Sequence, residues 1–166
     1  FDGMGGLRDG KLASKFAALA MAIELHRLPD TLTTDAVSHV AAAFERVNRR
    51  FRKAGAGLYG QVNGDALRTT AIVLVAEPQR YVVAHQGDGH AMLRRADGSL
   101  RPLMQAHKGA VSNAVTHSLG PVPDGEARVA AHPRLPGDLV FIASDGFDPV
   151  PPDQVLVVLH AYTGQH

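Results

Sequence analysis

The stretch GDLVFIASDGFDPV, residues 137–150, decides how the chain is read. Its first half, Asp138 to Ser144, is a run of apolar, β-branched and aromatic residues of strand length. The run stops at Asp145-Gly146. An aspartate at the end of a rigid strand can project into the space beyond the sheet. Asp-Gly is also the preferred pair of tight hairpin turns, because both residues tolerate positive φ. The pair therefore acquires meaning only if others recur in the same setting.

Asp-Gly occurs at 2–3, 9–10, 88–89, 97–98, 124–125 and 145–146. Asp2, Asp88 and Asp145 each stand at or near the end of an apolar segment. The other three lie in polar surroundings and are expected to be turns. Upstream of 137, the runs TTAIVLVAE (69–77), RYVVAHQ (80–86), HAMLRRA (90–96), LRPLM (100–104) and ARVAAH (127–132) read as strands. The first four are joined by the short turn elements PQ, GDG and DGS. Downstream, PPDQVLVVLHAYTG (151–164) predicts a short helix entered through prolines.

Two helices precede the strands. In residues 7–28, Leu12, Phe16, Leu19, Ile23 and Leu28 recur at helical spacing. In residues 35–55, Val37, Val40, Phe44, Val47 and Phe51 mark a buried stripe, with Thr34 as a cap and Gly55 as the stop. Two helices followed by hairpin-linked strands predict an α+β fold with helices on an antiparallel sheet system. Alternating βαβ units are absent, and GMGG (3–6) misses the G-x-G-x-x-G spacing, so a dinucleotide-binding reading is poor.

The length, 166 residues, suits one domain with a real core, and 45% apolar residues exclude compositional disorder. The net charge of +1 offers no basic excess for nucleic acid or an anionic membrane, and the basic run RVNRRFRKAG (46–55) reads as a solvated helix face. No apolar run approaches the ~20 residues that span a bilayer, and neither nucleic acid nor membrane is expected as a partner. With no cysteine, disulfides, thiolate metal sites and cysteine nucleophiles are excluded together. The nine histidines show no H-E-x-x-H or comparable zinc spacing. His85 and His90 flank the Gly87-Asp88-Gly89 turn, where a hairpin would bring them towards an ion at Asp88; the plainer reading is ordinary strand residues, with His90 as polar trim beside Asp88.

Three carboxylates gathered in one place cannot all stay ionised without a cation. All-oxygen ligation suits Mg²⁺ or Mn²⁺, and adjacent glycines let the backbone approach the ion. Two such ions about 3.5–4 Å apart can lower the pKa of a shared water and aim it at phosphorus.

Several motifs carry a resemblance in order. FDGMGG (1–6), GKLASKFAAL (10–19), ALRTTAIVLV (66–75), AHQGDGHAMLRR (84–95), HSLGPV (117–122) and GDLVFIASDGFDPV (137–150) together resemble the metal-dependent serine/threonine protein phosphatases of the 2C type (PPM), in their bacterial form. The resemblance covers residues 1 to about 155. It implies a single, partial domain over residues 1–166: an antiparallel β-sandwich flanked by helices, with a metal centre at one end. It further implies that Asp2 bridges two Mn²⁺ or Mg²⁺ ions, that Gly3 offers its carbonyl, and that Asp145 holds the second ion. Asp88, with Asp145, would bind a third ion more weakly. No side chain attacks phosphorus in this family, which agrees with the missing cysteine and the lack of a Ser-His-Asp set. The implied substrate is a phosphoserine or phosphothreonine protein opposing a serine/threonine kinase, and the expected location is cytoplasmic.

The chain departs from the family pattern at four places. Two strands before Asp2 and a final Asp-Asn strand are missing, so a domain cut at both ends is expected, with Phe1 closing a lost strand. Gly89-His90 replaces the usual Ser-Arg, and 103–120 is short where the family carries a flap. These departures keep a second reading open, a pseudophosphatase acting as a binding or regulatory module. Arg8 and Lys11 are expected either to meet phosphate or to start a solvated helix, Met4 to pack, and His107 has no assigned role.

Overall fold

Helix α2 (Ala36–Tyr59) is the inner helix, and its sequence shows why. Val40, Phe44, Val47 and Phe51 fall on one stripe and are all fully buried, and Val37 packs at its edge. Each such side chain withdrawn from water contributes roughly 1.5–3 kcal/mol before entropy is counted. The helix does not stop at Gly55. It runs on to Tyr59 with Gly55 buried inside it. A glycine within a helix costs only about 1 kcal/mol relative to alanine, which the packing of this stripe easily exceeds. The structure, a computed structural model, describes residues 1–3, 9–27, 36–59, 67–109, 115–120, 126–151, 154–157 and 161. Leu28, the proposed cap Thr34, Met4 and Arg8 lie outside the described residues.

Helix α1 (Gly10–His26) turns a different face inward from the one its large residues suggest. Leu12, Leu19 and Ile23 are 48, 64 and 41% exposed, whereas Ala13, Ala17, Ala20 and Met21 are buried. The small residues let α1 lie close against α2, and Phe16 meets Phe51 edge-on with ring centroids 5.0 Å apart. The same face buries Glu24 completely. Its carboxylate accepts from Arg46 Nε at 2.5 Å and from Arg50 on α2, with Arg27 3.5 Å away. The hydrogen bond from Arg46 is the main cause that holds the Glu24 carboxyl below its ordinary range, against the opposing effect of burial.

Among the described residues, six strands form two antiparallel sheets. β1 (Ala71–Ala76), β2 (Arg80–Gln86) and β5 (Arg128–Pro133) lie in the order β1-β2-β5. β3 (His90–Arg94), β4 (Leu100–Pro102) and β6 (Leu139–Ala143) lie in the order β4-β3-β6. β2 is central and buried on both faces. Val82 and Ala84 join the core under the helices, while Tyr81 and Val83 join a second core with Ala91, Leu93 and Leu103 of the other sheet. The period-2 alternation of a strand thus makes three layers, helices, sheet and sheet. The α+β sandwich is as the sequence predicts.

The β3–β4 turn is the Asp-Gly turn expected at 97–98. Gly98 has φ +85°, its N–H donates to the Arg95 carbonyl, and the Ser99 N–H donates to Asp97 Oδ1. Asp9-Gly10 instead opens α1, with the Asp9 carbonyl accepting from the Ala13 N–H at 2.9 Å. Asp124-Gly125 lies outside the described residues, and 154–157 and 161 are helical, as predicted for the segment after the prolines.

The orientation of α1 is testable. Glu24→Ala should lower stability by about 2 kcal/mol in urea unfolding, because two arginines lose their buried acceptor and a small void is left. Leu19→Ala should stay within about 0.5 kcal/mol of the parent, as expected of a solvent-facing position. The reverse ranking would mean that the leucine face is the buried one.

Candidate metal centre

β3 and β6 pair with His90 opposite Ala143, Ala91 opposite Ile142 and so on to Arg94 opposite Leu139. Continuing this register two residues past the strand ends brings Asp88 opposite Asp145. Asp88 is buried in the turn that leads into β3, and Asp145 begins a 3-10 turn, Asp145–Phe147, after β6. The two carboxyls feel each other. Burial raises the Asp88 carboxyl above its ordinary range, and the charge of Asp145 raises it further.

Asp2 arrives from another direction. Its carbonyl accepts from the Thr70 N–H at 2.9 Å and from Thr69 Oγ1 at 2.6 Å, and Gly3 bridges Thr69. Thr69, fully buried, is paired on its other side with Leu119 through N–H···O bonds of 3.0 and 2.9 Å. Gly3 has no room for a side chain, since a Cβ there would lie 2.0 Å from the Gly10 carbonyl oxygen. The N-terminal segment therefore enters the site by docking its backbone on the residues before β1. Phe1, Asp2, Thr70, Ile72, Gly89, Ile142, Ala143 and Ser144 line an open cleft of about 420 Å³.

The structure thus brings Asp88 and Asp145 together and sets Asp2 in the cleft walled by the residues next to them. It does not close all three into one compact set. Among the described residues, no group of three or more Asp, Glu, His or Cys side chains is gathered tightly enough to hold an ion. The chemistry of the donors nevertheless fits a hard divalent cation. Burial and then the charge of Asp145 raise the Asp88 carboxyl in spite of Lys108, so the pair is only partly compensated, and its oxygen ligands suit Mg²⁺ or Mn²⁺.

Two features of the site escape the sequence reading. The first is His107. Its N–H donates to the Gly87 carbonyl at 2.9 Å, and the Gly87 N–H donates to its Nδ1 at 3.2 Å, so the imidazole clamps the turn that carries Asp88. Gly87 has φ +121°, and a Cβ there would lie 2.5 Å from Thr70 Cβ, so the turn accepts only glycine. His107 stacks between His85 and His117, with centroids 4.5 and 4.3 Å away. His85 donates from Nε2 to the Gln105 carbonyl at 2.8 Å. Burial, then the fields of His85, His117 and Arg128, push the His107 imidazole down to about 4. The second feature is Asp148. Its Oδ1 lies 2.5 Å from His90 Nε2, so His90 is the partner of an acid in the turn after β6 rather than plain strand trim. No local pattern announces either residue, because both contacts join segments far apart in the chain.

The family model described as protein phosphatase 2C matches residues 1–162. Among solved structures, the Mycobacterium tuberculosis serine/threonine phosphatase PstP/Ppp superposes with a TM-score of 0.79 at 22% identity, over 95% of this chain and 72% of that one. The PstP catalytic domain in complex with two manganese ions gives 0.78 at 22% identity, over 95% and 71%. PppA of Pseudomonas aeruginosa, described as a key regulatory component of T6SS, gives 0.74 at 28% identity, over 95% and 69%. No curated protein sequence matches the chain.

The His107 clamp predicts a pH dependence with a definite sign. The folded state binds this proton less tightly than the unfolded chain, so stability is full above the ordinary histidine value of 6.5 and is lost as pH falls towards about 4. Going from about pH 7.5 to about pH 5 should cost about 2 kcal/mol in urea unfolding, and His107→Gln should flatten most of that slope. An unchanged slope in the variant would remove His107 as its source. Gly87→Ala should destabilise by about 2 kcal/mol or more at neutral pH, measured in the same way.

Proposed function

The chain belongs to the protein phosphatase 2C family, and from that premise we propose that it hydrolyses phosphoserine and phosphothreonine in proteins with Mn²⁺ or Mg²⁺ as cofactor. The observation that carries the reading is the Asp88–Asp145 pair at the ends of two paired strands, with Asp2 in the adjoining cleft. Asp2, Gly3, Asp88 and Asp145 are the residues that would hold the ions. When bound, divalent ions supply a nucleophilic water at neutral pH and a counter-charge for the phosphoryl oxygens. The chain's own part is positional. Thr69 and Thr70 hold the Asp2 carbonyl, which seats Asp2 in the wall of the cleft. His107 fixes the turn that presents Asp88, and the 3-10 turn presents Asp145. The cleft is open, which suits a phosphorylated side chain on a protein surface.

The likeness to PstP, whose catalytic domain binds two manganese ions, supports the choice of metal. The likeness to PppA, a regulatory component in its own bacterium, supports a regulatory phosphoprotein as substrate, opposing a serine/threonine kinase. A second reading, a binding module with little turnover, is favoured by one observation: the described residues do not gather three acidic side chains into a single set.

A Mn²⁺-dependent assay on a phosphothreonine peptide separates the two. The phosphatase reading expects metal-dependent release of phosphate and a loss of about 100-fold or more in kcat/KM for Asp145→Asn and Asp88→Asn, as for removal of a ligand or a tightly coupled supporting group. Parent-like turnover by Asp145→Asn would sink the metal assignment. No turnover by the parent at saturating Mn²⁺ would favour the binding module.

A further inference from the structure

The loop that follows the His107 clamp delivers a cation to Asp148, in the turn that begins with Asp145. Lys108 is fixed at its backbone. On one side His107 is tied to Gly87, and on the other Lys108 forms a bridge with Val115 while the His107 carbonyl accepts from the Thr116 N–H at 2.9 Å. Its side chain is equally restrained. Nζ donates to Asp148 Oδ2 at 2.5 Å, and the other oxygen of Asp148 meets His90 Nε2. Asp148 is itself held, because its N–H donates to the Asp145 carbonyl at 2.8 Å. A lysine on the surface ordinarily spends its conformational freedom in water. This one is pinned at both ends within the field of Asp88 and Asp145.

The charges register the arrangement from both sides. The hydrogen bond to Asp148 raises the Lys108 ammonium above its ordinary value, and the charges of Asp88 and Asp145 add to the effect. Lys108 in turn opposes the upward shift of Asp88. A fixed monocation beside two carboxylates repels a second cation seeking the same oxygens. The repulsion falls on an ion held by Asp88 and Asp145 together, here called the outer position.

We propose that Lys108, tethered by Asp148, is a resident counter-cation of the Asp88–Asp145 pair that takes the place of a weakly held third metal ion and sets the metal stoichiometry of the site. The proposal rests on the metal-centre reading above and concerns only the outer position. Asp148 holds the ammonium directly, and Asp88 and Asp145 lie within its field. Neutralising that ammonium should open the outer position to a divalent ion, whereas replacing it with another permanent cation should not.

The test is a calorimetric Mn²⁺ titration of the chain as parent, Lys108→Gln and Lys108→Arg, with metal-free thermal unfolding as the folding control. The expected result is one additional Mn²⁺, or a tightening of the weakest Mn²⁺ step by about 10-fold or more, in Lys108→Gln. Lys108→Arg should behave as the parent. A Lys108→Gln isotherm that matches the parent overturns the proposal. So does a Lys108→Arg isotherm that matches Lys108→Gln, since shape rather than charge would then be responsible. Asp145→Asn distinguishes the two layers of the argument. If it binds Mn²⁺ as the parent does, the metal-centre reading itself fails; if it loses Mn²⁺ while Lys108→Gln is unchanged, only the role of Lys108 fails.

Discussion

The register of β3 against β6 fixes two like charges at the same end of one sheet, and the surrounding structure answers to that constraint. Asp88 and Asp145 each lie two residues beyond the His90–Ala143 pair, which keeps them at the same end of the sheet. Like charges held this close favour the protonated form of the more buried partner, and Asp88 is raised accordingly. A stable fold must then supply positive charge or admit a cation. Lys108 supplies part of it, and a divalent ion is the chemical complement of the rest.

Backbone pairing, rather than side-chain packing, assembles the remaining wall. Residues 1–3, 69–70 and 119 come from three distant parts of the chain and are joined by N–H···O bonds around the buried Thr69. Buried backbone groups must find partners, so the joint is over-determined: Thr69 uses its N–H, its carbonyl and its hydroxyl. The cleft therefore inherits the rigidity of β1. The core on either side of β2 adds to this, since a strand packed on both faces can neither tilt nor slip without unseating helices and the second sheet together.

Much of this was legible in the sequence, and the exceptions have physical causes. The strands were legible because apolar runs broken by Asp-Gly, Gly-Asp-Gly and Pro-Gln are local signals. The pairing of Asp88 with Asp145 was legible only through motif order, since a register joins residues 57 positions apart. The buried face of α1 was not. Periodicity of large residues chose Leu12, Leu19 and Ile23, but close helix contact rewards alanine, and Glu24 was drawn inward by arginines on another helix. The end of α2 was missed for a similar reason, as burial outweighs the weak cost of Gly55. His107, Lys108 and Asp148 sit in segments without periodicity, where what matters is the tertiary partner.

His107 and Lys108 make the last point. They are consecutive, yet the fold drives their charges in opposite directions. His107 receives a backbone N–H at Nδ1 and lies between two other imidazoles, so a proton there would oppose both contacts. Lys108 receives a carboxylate and the field of two more, so losing its proton would oppose all three. The neutral residue shapes the turn under Asp88 without adding charge to the site, and the charged residue stands at the carboxylates themselves. Were the two exchanged, an ammonium would be buried against a backbone N–H and the acids would face a titrating imidazole. The order His107-Lys108 therefore separates two tasks, rigid support and charge compensation, over a single peptide bond. The charge left uncompensated at the acids is then set by the fold and not by the protonation of the support beneath it.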